Sequence, residues 1–526
     1  MKIKLISLCL AVVILATCLA ACANPTDTGS GSATASTSGG NNDEKVARFR
    51  MDASLTSLDW EQTTNTRDMK VWHQMYEGLY GMDEANGGYY KELAQDVQLS
   101  DDLLSYTIKL VPGVKFQNGD ALNASDVEFS YKRAMKNPKF NYLTSMIEDI
   151  EAVDDSTVKV TLNKPYSPID HTFFCIKILC EREVLEQGDK FGTIPHKAAT
   201  GPYYVTDYQI ATITKMSAFE DYWRGAPNIK KLEFLVIPDA AAATVAYANG
   251  QINYLEDAPL ADWDSLKETA GESCAVIKGN NIQLLAVNNL SPTNGGVLGN
   301  EKVRQAIFYA INKEDINIAV GDGYGTPAYQ YMPSDYVPTS PVSGFETYDY
   351  NVEKAKALLV EAGYPDGLDA GTLITYNANN AKMATVVQAN LAEVGIKIEV
   401  NIAENAIQTP KMYVQEYDLA IFQDSGNYDY NNIRQQVHSE SVGMYLINFK
   451  GSGFNWQRLE ELVDLGAKTS VLEERLKYYT ELWSIVMDTA TINPCLHRPV
   501  GIVWSNDLDI GEPVPTYYKV RQFSWK

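Results

Sequence analysis

The stretch that decides the fold is residues 106–133, which read YTIKLVPGVKFQNGDALNASDVEFSYKR. Polar and apolar residues alternate over residues 106–110, which predicts a strand with one buried face that stops at Pro112. Asn123 precedes Asp126 by three positions, a spacing typical of the first turn of a capped helix. A strand and a capped helix within one short segment predict a fold that mixes the two.

The same mixture continues on both sides of this stretch. Further strand patterns occur at residues 158–162, 232–237, 252–255, 396–401 and 418–422. Helical patterns occur at residues 240–248, 303–311, 352–362, 383–394, 459–468 and 472–489. Strands and helices that alternate along the chain predict an α/β fold.

Length and composition set the scale of the molecule. The chain has 526 residues, of which 45% are hydrophobic and 21% are charged, as in ordinary globular proteins. A chain this long is too large for one hydrophobic core, so two or three lobes are expected. The net charge of −23 makes nucleic acid an improbable partner and also repels anionic lipid headgroups.

The N-terminus predicts export. Lys2 and Lys4 precede an apolar run over residues 5–21, which is followed by Cys22. The run is shorter than the roughly 20 apolar residues with flanking anchors that a membrane span needs, although a retained anchor stays an alternative. The Leu-Ala-Ala-Cys that ends at Cys22 resembles the lipobox of bacterial lipoproteins, whereas Cys18 has only a partial version. We therefore expect residues 1–21 to be removed and Cys22 to carry a lipid.

The segment after the lipidation site, residues 22–45, is rich in Ser, Thr, Gly and Asn and has nothing that could build a core. A Gly/Ser-type coil of about 20 residues reaches on the order of 25 Å. We interpret it as a flexible tether that lets a globular body stay beside a membrane partner. An incidental disordered terminus is the alternative.

Four further cysteines, Cys175, Cys180, Cys274 and Cys495, are too few for a disulfide framework in a chain this long. Their spacing fits neither a zinc nor a redox motif, so we predict buried free thiols, with one or two disulfides as the alternative. No metal site and no cofactor are predicted.

Enzyme motifs are also missing from the sequence. It has no HExxH, no GxSxG and no Walker-type motif, and its five histidines are scattered without metal-ligand spacing. A non-enzymatic protein is therefore predicted. The alternative is a lipid-tethered extracellular hydrolase.

Short segments spread over most of the chain, in the same order, resemble the extracellular solute-binding proteins, family 5, which include the oligopeptide and dipeptide binding proteins. They are SLD at 57–59, GVKFQNG at 113–119, TGPY at 200–203, YWRG at 222–225, IPDA at 237–240, VRQA at 303–306 and AGYPDG at 362–367. Each could be an ordinary turn or helix of any α/β protein, so the argument rests on their order.

The resemblance implies a two-lobed periplasmic-binding-protein-like fold (type II, cluster C) with an extra small subdomain. Lobe I would comprise residues 46–81, 196–281 and 500–526, the subdomain residues 82–195, and lobe II residues 282–499. Two lobes joined by a few crossing strands can close over a ligand that contacts both.

The function implied by the resemblance is that of the substrate-binding lipoprotein of an ABC importer. It would capture oligopeptides or dipeptides between the lobes and deliver them to the permease and ATPase subunits. It would act as a monomer, lipid-anchored on the extracytoplasmic face of the bacterial cell membrane. The same fold could instead carry a nickel chelate, an opine or an oligosaccharide, or could sense a peptide without feeding a transporter.

The family pairs the amino group of a peptide with an aspartate and its carboxyl group with a cation. At the corresponding place this chain reads DLAIFQDSGNYDY over residues 418–430, without the expected Trp and Pro. A gapless comparison sets Asn427 at the aspartate position with Asp429 downstream, and a shifted one offers Asp424. Either Asp424 or Asp429 has taken over the role, or the ligand has no free α-amine. Further ligand-binding candidates in this segment are Phe422 and Tyr428.

Three other residues are candidates for the cleft. Trp60 could stack on a ligand or belong to the core. Tyr324 lies in the loop 321–327, whose glycines permit close backbone approach but lack the Lys and Ser/Thr of a phosphate loop. Arg434 could receive a carboxylate or be a solvated surface charge.

Overall fold

The computed structural model describes residues 45–63, 65–83, 88–333, 337–425, 429–438, 454–514 and 518–526. The predicted signal peptide, Cys22 and residues 22–44 of the predicted tether lie outside these ranges. None of the helices in the described ranges combines the length and the apolar character that a membrane span requires.

The strands of the described residues are, in chain order, β1 Val46–Met51, β2 Tyr80–Met82, β3 Tyr89–Lys91, β4 Ala94–Leu99, β5 Ser105–Leu110, β6 Ile147–Asp154, β7 Thr157–Leu162, β8 Tyr203–Gln209, β9 Ile213–Ala218, β10 Lys231–Val236, β11 Tyr254–Glu256, β12 Cys274–Val287, β13 Thr326–Pro327, β14 Leu368–Thr375, β15 Ile396–Ile402, β16 Leu419–Ser425, β17 Ile492–Trp504, β18 Leu508–Asp509 and β19 Ser524–Trp525.

The α-helices are α1 Thr66–Met75, α2 Ala124–Met135, α3 Asn141–Thr144, α4 Ile169–Cys175, α5 Glu181–Gln187, α6 Ala240–Ala248, α7 Trp263–Ala270, α8 Glu301–Ala310, α9 Lys313–Gly321, α10 Val352–Glu361, α11 Ala378–Glu393, α12 Asn405–Tyr413, α13 Arg434–Val437, α14 Trp456–Lys468 and α15 Leu472–Asp488.

The predicted strand and helix of the opening stretch are present as β5 and α2. The Asn123 backbone N–H donates to the Asp126 carboxylate across 3.0 Å, so an orphan donor at the helix start is satisfied within the first turn. β5 alternates between buried and more exposed residues, as its sequence predicts. The prediction of an α/β fold is confirmed by the intermingled strands and helices.

A large mixed sheet organises the chain. Its strands follow the order β15-β14-β16-β12-β17-β11-β1-β10-β9-β8, and β13 pairs with β17. A separate four-stranded sheet has the order β4-β5-β7-β6. The large sheet thus brings strands from both ends of the chain beside strands from its middle.

Buried apolar side chains form three clusters. The first core draws on residues 47–254 and 500–525 and includes the side chains of the four-stranded sheet. The second core draws on residues 282–496. A smaller third core combines residues 243–276 with Val503. The residue boundaries proposed from the sequence for the two lobes and the subdomain stay a prediction.

Two long strands connect the first and second cores. β12 pairs with β17 over Cys274–Lys278 and again over Ile282–Ala286, and the register changes between Lys278 and Ile282. An irregularity of this kind bends a strand and increases its twist. The register change therefore separates the part of β12 that reaches the first core from the part that belongs to the second core.

Candidate functional site

The first part of the candidate site lies at the carboxyl end of β16. β14 and β16 run parallel, so their carboxyl ends lie at the same edge of the sheet. Asp424, near the end of β16, pairs in register with Ile282, the first residue of β12 after the register change. Ligands of open α/β sheets bind in the crevice outside such carboxyl ends. The strand thus delivers a carboxylate to the place where the second core meets the crossing strands.

Two buried side chains hold Asp424. Gln436 Nε2 donates to the Asp424 carboxylate across 2.7 Å, and the Tyr331 hydroxyl donates to the same oxygen. Both donors are 1% exposed, whereas Asp424 itself is only partly buried. These two donors orient the Asp424 carboxylate at the carboxyl end of β16.

The second part is an aromatic cavity in the first core. Trp60, Trp72, Phe140, Tyr142 and Phe174 contribute its rings. Trp60 is 2% exposed, and its ring packs edge-on against Phe140 with centroids 5.1 Å apart. Its indole N–H is buried and finds no hydrogen-bond partner among the residues that the structure describes. Trp60 therefore has the packing of a core residue and also brings an unused donor to a cavity wall.

Lys177 adds a charge to this aromatic cavity. Its Nζ donates to the Phe174 carbonyl across 2.6 Å and lies 4.1 Å from the centre of the Phe174 ring. Burial lowers the pKa of Lys177 to about 8, although the charge of Glu92 opposes the shift. Within the described ranges no carboxylate lies within ion-pair distance of this ammonium. The carboxylates of Glu92 and Glu77 act on Lys177 from beyond contact distance, which leaves room for an anionic group of a ligand to contact the ammonium directly.

Comparison with known proteins identifies the family of this chain. The model of the bacterial extracellular solute-binding proteins, family 5 (Middle), matches residues 88–438. The chain belongs to this family. It is a substrate-binding protein of an ABC importer and acts outside the cytoplasm.

Two relatives and one solved structure illustrate what the chain is similar to. The glutathione-binding protein GsiB of Pectobacterium atrosepticum is 30% identical over 394 residues, which cover 72% of this chain and 74% of that protein. Heme-binding protein A of Haemophilus influenzae is 29% identical over 458 residues, which cover 81% of this chain and 82% of that protein.

The third is a solved structure, the periplasmic binding protein DppA from Helicobacter pylori in complex with the peptide STSA. It superposes with a TM-score of 0.74 at 22% identity, covering 91% of this chain and 98% of DppA. The predicted periplasmic-binding-protein-like fold is thereby confirmed.

Two of the predicted ligand residues of this family 5 protein are engaged in ion pairs. Asp429 is the N-cap of the short helix Tyr430–Ile433 and accepts from Arg475 Nη2 across 2.6 Å. Arg434, 9% exposed, donates to Asp464 Oδ1 across 2.5 Å. The guanidinium is therefore buried and is not a solvated surface charge. Ligand binding by either residue stays a prediction.

The other predicted residues are distributed differently. Phe422 is 1% exposed and belongs to the second core. Tyr324 is 45% exposed in the loop between α9 and β13, and β13 pairs with the crossing strand β17. Asn427 and Tyr428 lie outside the described residues. Ligand binding by these residues also stays a prediction.

Three residues of the candidate site were missed by sequence reasoning, namely Lys177, Tyr331 and Gln436. Lys177 had a usable signal, because it is the single charge in the apolar run FFCIKILC over residues 173–180. Tyr331 and Gln436 had none, because only the folded chain brings them to Asp424. The four cysteines of the described residues are free thiols, as predicted, but only Cys180 and Cys495 are buried, whereas Cys175 and Cys274 are partly exposed.

Proposed function

We propose that this substrate-binding protein captures short peptides with a free carboxyl group and delivers them to the permease and ATPase of its importer. The observation that carries the proposal is Lys177, a residue 6% exposed in an aromatic wall of the first core, whose ammonium forms no ion pair with any carboxylate of the described residues. The cavity has a volume of about 20 Å³, so the peptide carboxylate would pair with this ammonium, and apolar side chains would contact the surrounding rings, only after those rings move apart.

The second core contributes the opposite charge. Asp424 would receive the peptide amino group, because it lies at the carboxyl end of β16, where Tyr331 and Gln436 orient its carboxylate. A ligand that contacted both cores would stabilise the closed arrangement. Closure would signal a loaded protein to the permease. Relatives named for glutathione and a structure in complex with the peptide STSA support a peptide-like ligand.

The decisive experiment compares a tripeptide with its C-terminal amide by isothermal titration calorimetry. We expect the free acid to bind the unaltered protein at least about tenfold more tightly, and Lys177→Met to abolish that difference. Lys267→Met, a change of an exposed lysine on α7, is the matched control and should preserve it. Equal binding of acid and amide by the unaltered protein would refute the role of Lys177.

The chemical identity of the natural ligand is tested by native mass spectrometry of protein purified without denaturation. We expect a mixture of short peptides that is recovered intact after incubation. Recovery of a sugar, a heme or a metal chelate alone would remove the peptide proposal and leave the importer role. Cleaved peptides would support the tethered hydrolase instead.

We further propose that the protein is a monomer held at the extracytoplasmic face of the membrane by a lipid on Cys22. The proposal rests on the apolar run and the lipobox-like residues that end at Cys22. Cys22→Ala should move the protein from the membrane fraction to the soluble fraction, whereas Cys18→Ala should leave it at the membrane. Membrane retention of the Cys22→Ala protein would contradict lipid attachment at this residue.

A further inference from the structure

A second cavity, here called the side cavity, lies where the first and second cores meet, and neither Lys177 nor Asp424 lines it, although the predicted ligand residue Asp429 does. It has a volume of about 690 Å³. Tyr89, Tyr106, Tyr166 and Asp170 line it from the first-core side, and Asp429 and Arg475 line it from the second-core side. None of these residues lines the aromatic cavity around Lys177. The side cavity is therefore separate from the aromatic cavity of the candidate site.

Two of its charged residues are committed to each other. Arg475 donates to Asp429 across 2.6 Å and to the Gly466 carbonyl across 2.9 Å. It also donates to the Tyr479 hydroxyl across 3.1 Å. The Arg475–Asp429 pair is thus satisfied and contributes no net charge to the side cavity.

Asp170 has no such partner. Its carboxylate forms neither a hydrogen bond nor an ion pair within the described ranges, although the side chain is only partly exposed. Burial raises the pKa of Asp170 to about 6, with a further contribution from the charge of Asp429 and opposition from Arg475. Asp170 is in the first turn of α4, where a carboxylate offsets the helix dipole. That position explains an acidic residue, but it supplies no counter-ion inside a cavity.

The remaining charge lies at the exposed end of α14. Lys468 lines the side cavity, is exposed, and makes no ion pair within the described ranges. The side cavity therefore has an unpaired anion on its partly buried side and an unpaired cation on its exposed side. Its partly buried side favours a positive group, and its exposed rim disfavours one.

We propose that the side cavity binds an organic cation, an ammonium or guanidinium group, with Asp170 as its counter-ion and tyrosine rings as its walls. Aromatic faces attract cations, and the attraction grows when water is excluded. The cation supplies the charge that the partly buried Asp170 lacks. It is either a free amine or a cationic side chain of a peptide held in the candidate site.

Occupancy of the side cavity would also affect the contact between the two cores. The Ser167 backbone N–H donates to the Ala467 carbonyl across 2.6 Å, and these residues adjoin the cavity lining on either side. A cation that contacts both sides adds to this contact and stabilises the arrangement in which the cores touch. The bound cation therefore acts as a second ligand that favours closure.

The test is calorimetric titration with 1,5-diaminopentane and with arginine amide at pH 7.5. We expect Asp170→Asn to weaken binding at least about tenfold, because it removes the counter-ion and keeps the shape. Lys468→Met should bind these probes as well as or better than the unaltered protein, because it removes a repelling charge. Thermal melting of both variants checks that each is folded. Absence of binding to the unaltered protein, or equal binding by Asp170→Asn, would overturn the proposal.

The two sources of the cation are separated with a pair of tripeptides that differ only in lysine or norleucine at one position. If the peptide side chain occupies the side cavity, Asp170→Asn weakens only the lysine peptide, and 1,5-diaminopentane competes with it. If the cavity takes a free amine, both peptides bind Asp170→Asn unchanged and the amine binds beside them. Lys177→Met should still bind 1,5-diaminopentane, so failure of the proposed peptide site is distinguishable from failure of the side cavity.

Discussion

The Gln436 side-chain amide donates to the Asp424 carboxylate across 2.7 Å, at the carboxyl end of the strand that meets the crossing strands. If this carboxylate receives the peptide amino group, Asp424→Asn should weaken the binding of a free tripeptide at least about tenfold. The affinity for the N-acetylated form should stay unchanged. Calorimetric titration of both peptides measures the difference. Asp221→Asn, an exposed change, is the control and should bind like the unaltered protein.

The prediction would be contradicted if Asp424→Asn weakened the binding of the free tripeptide and of its N-acetylated form equally. That result would show that the substitution disturbs the Tyr331 and Gln436 contacts and does not act through the amino group. Gln436→Glu provides a second check, because it places a competing carboxylate beside Asp424. It should either increase the preference for the free tripeptide over its N-acetylated form or destabilise the site. A melting curve distinguishes these effects.

Affinity for free peptides should fall as the pH rises past 8. Lys177 has a pKa of about 8 without ligand, so its ammonium is largely present at pH 7 and largely lost at pH 9. A carboxylate binds the charged form, and we expect about tenfold weaker binding across this interval. Titrations of the N-acetylated tripeptide at half-unit steps measure the contribution of Lys177, because the α-amine of a free peptide itself titrates at about pH 8. With this ligand Lys177→Met should give a flat profile, and a steep one in that variant would assign the effect to another group.

Local features of the fold could be predicted from the sequence, and long-range ones could not. The cap formed by Asn123 and Asp126 depends on residues three positions apart, so their spacing was sufficient. The pairing of β12 with β17 joins segments more than two hundred positions apart, and no local pattern encodes their register. The family resemblance supplied the overall fold that the local patterns lacked.

The same distinction applies to the candidate site. Asp424 was predicted because its position at the end of a strand can be read from the apolar run before it. The burial of Arg434 could not be predicted, because its partner Asp464 belongs to another helix. Lys177 meets Trp60 only through the packing of the first core. The role of a charged residue can therefore be assigned only when its neighbours in the folded chain are known.

A buried ion pair anchors the C-terminal segment and gives a stability prediction. Lys519 Nζ lies 2.5 Å from the Glu92 carboxylate, which is 3% exposed, and it also contacts the Tyr90 hydroxyl. Burial would raise the pKa of Glu92, but Lys519 holds it below the usual value, so the pair stabilises the fold above about pH 4.5 and less as the pH falls.

Lys519→Met should therefore reduce the free energy of unfolding at pH 7 by about 3 kcal/mol, because it leaves Glu92 buried without its closest cation. Denaturation by urea measures the loss. Lys526→Met removes an exposed charge seven positions away and should change stability little. Adding Glu92→Gln to Lys519→Met should recover part of the loss, and failure to recover any would indicate that the lysine acts through packing alone.

A bulkier residue at the register change should impair closure. A Cβ added to Gly279 would lie 2.6 Å from the Arg498 carbonyl oxygen, a backbone atom that cannot rotate away. Gly279→Ala should therefore displace β12 from β17 between the two cores and weaken peptide binding about fivefold or more, with a smaller compaction on ligand addition. Small-angle scattering with and without the tripeptide measures compaction. Gly299→Ala, whose added Cβ would meet its nearest neighbour at an ordinary 3.5 Å, is the matched control. Unchanged affinity and compaction in Gly279→Ala would show that this part of the crossing strands does not bend when the ligand binds.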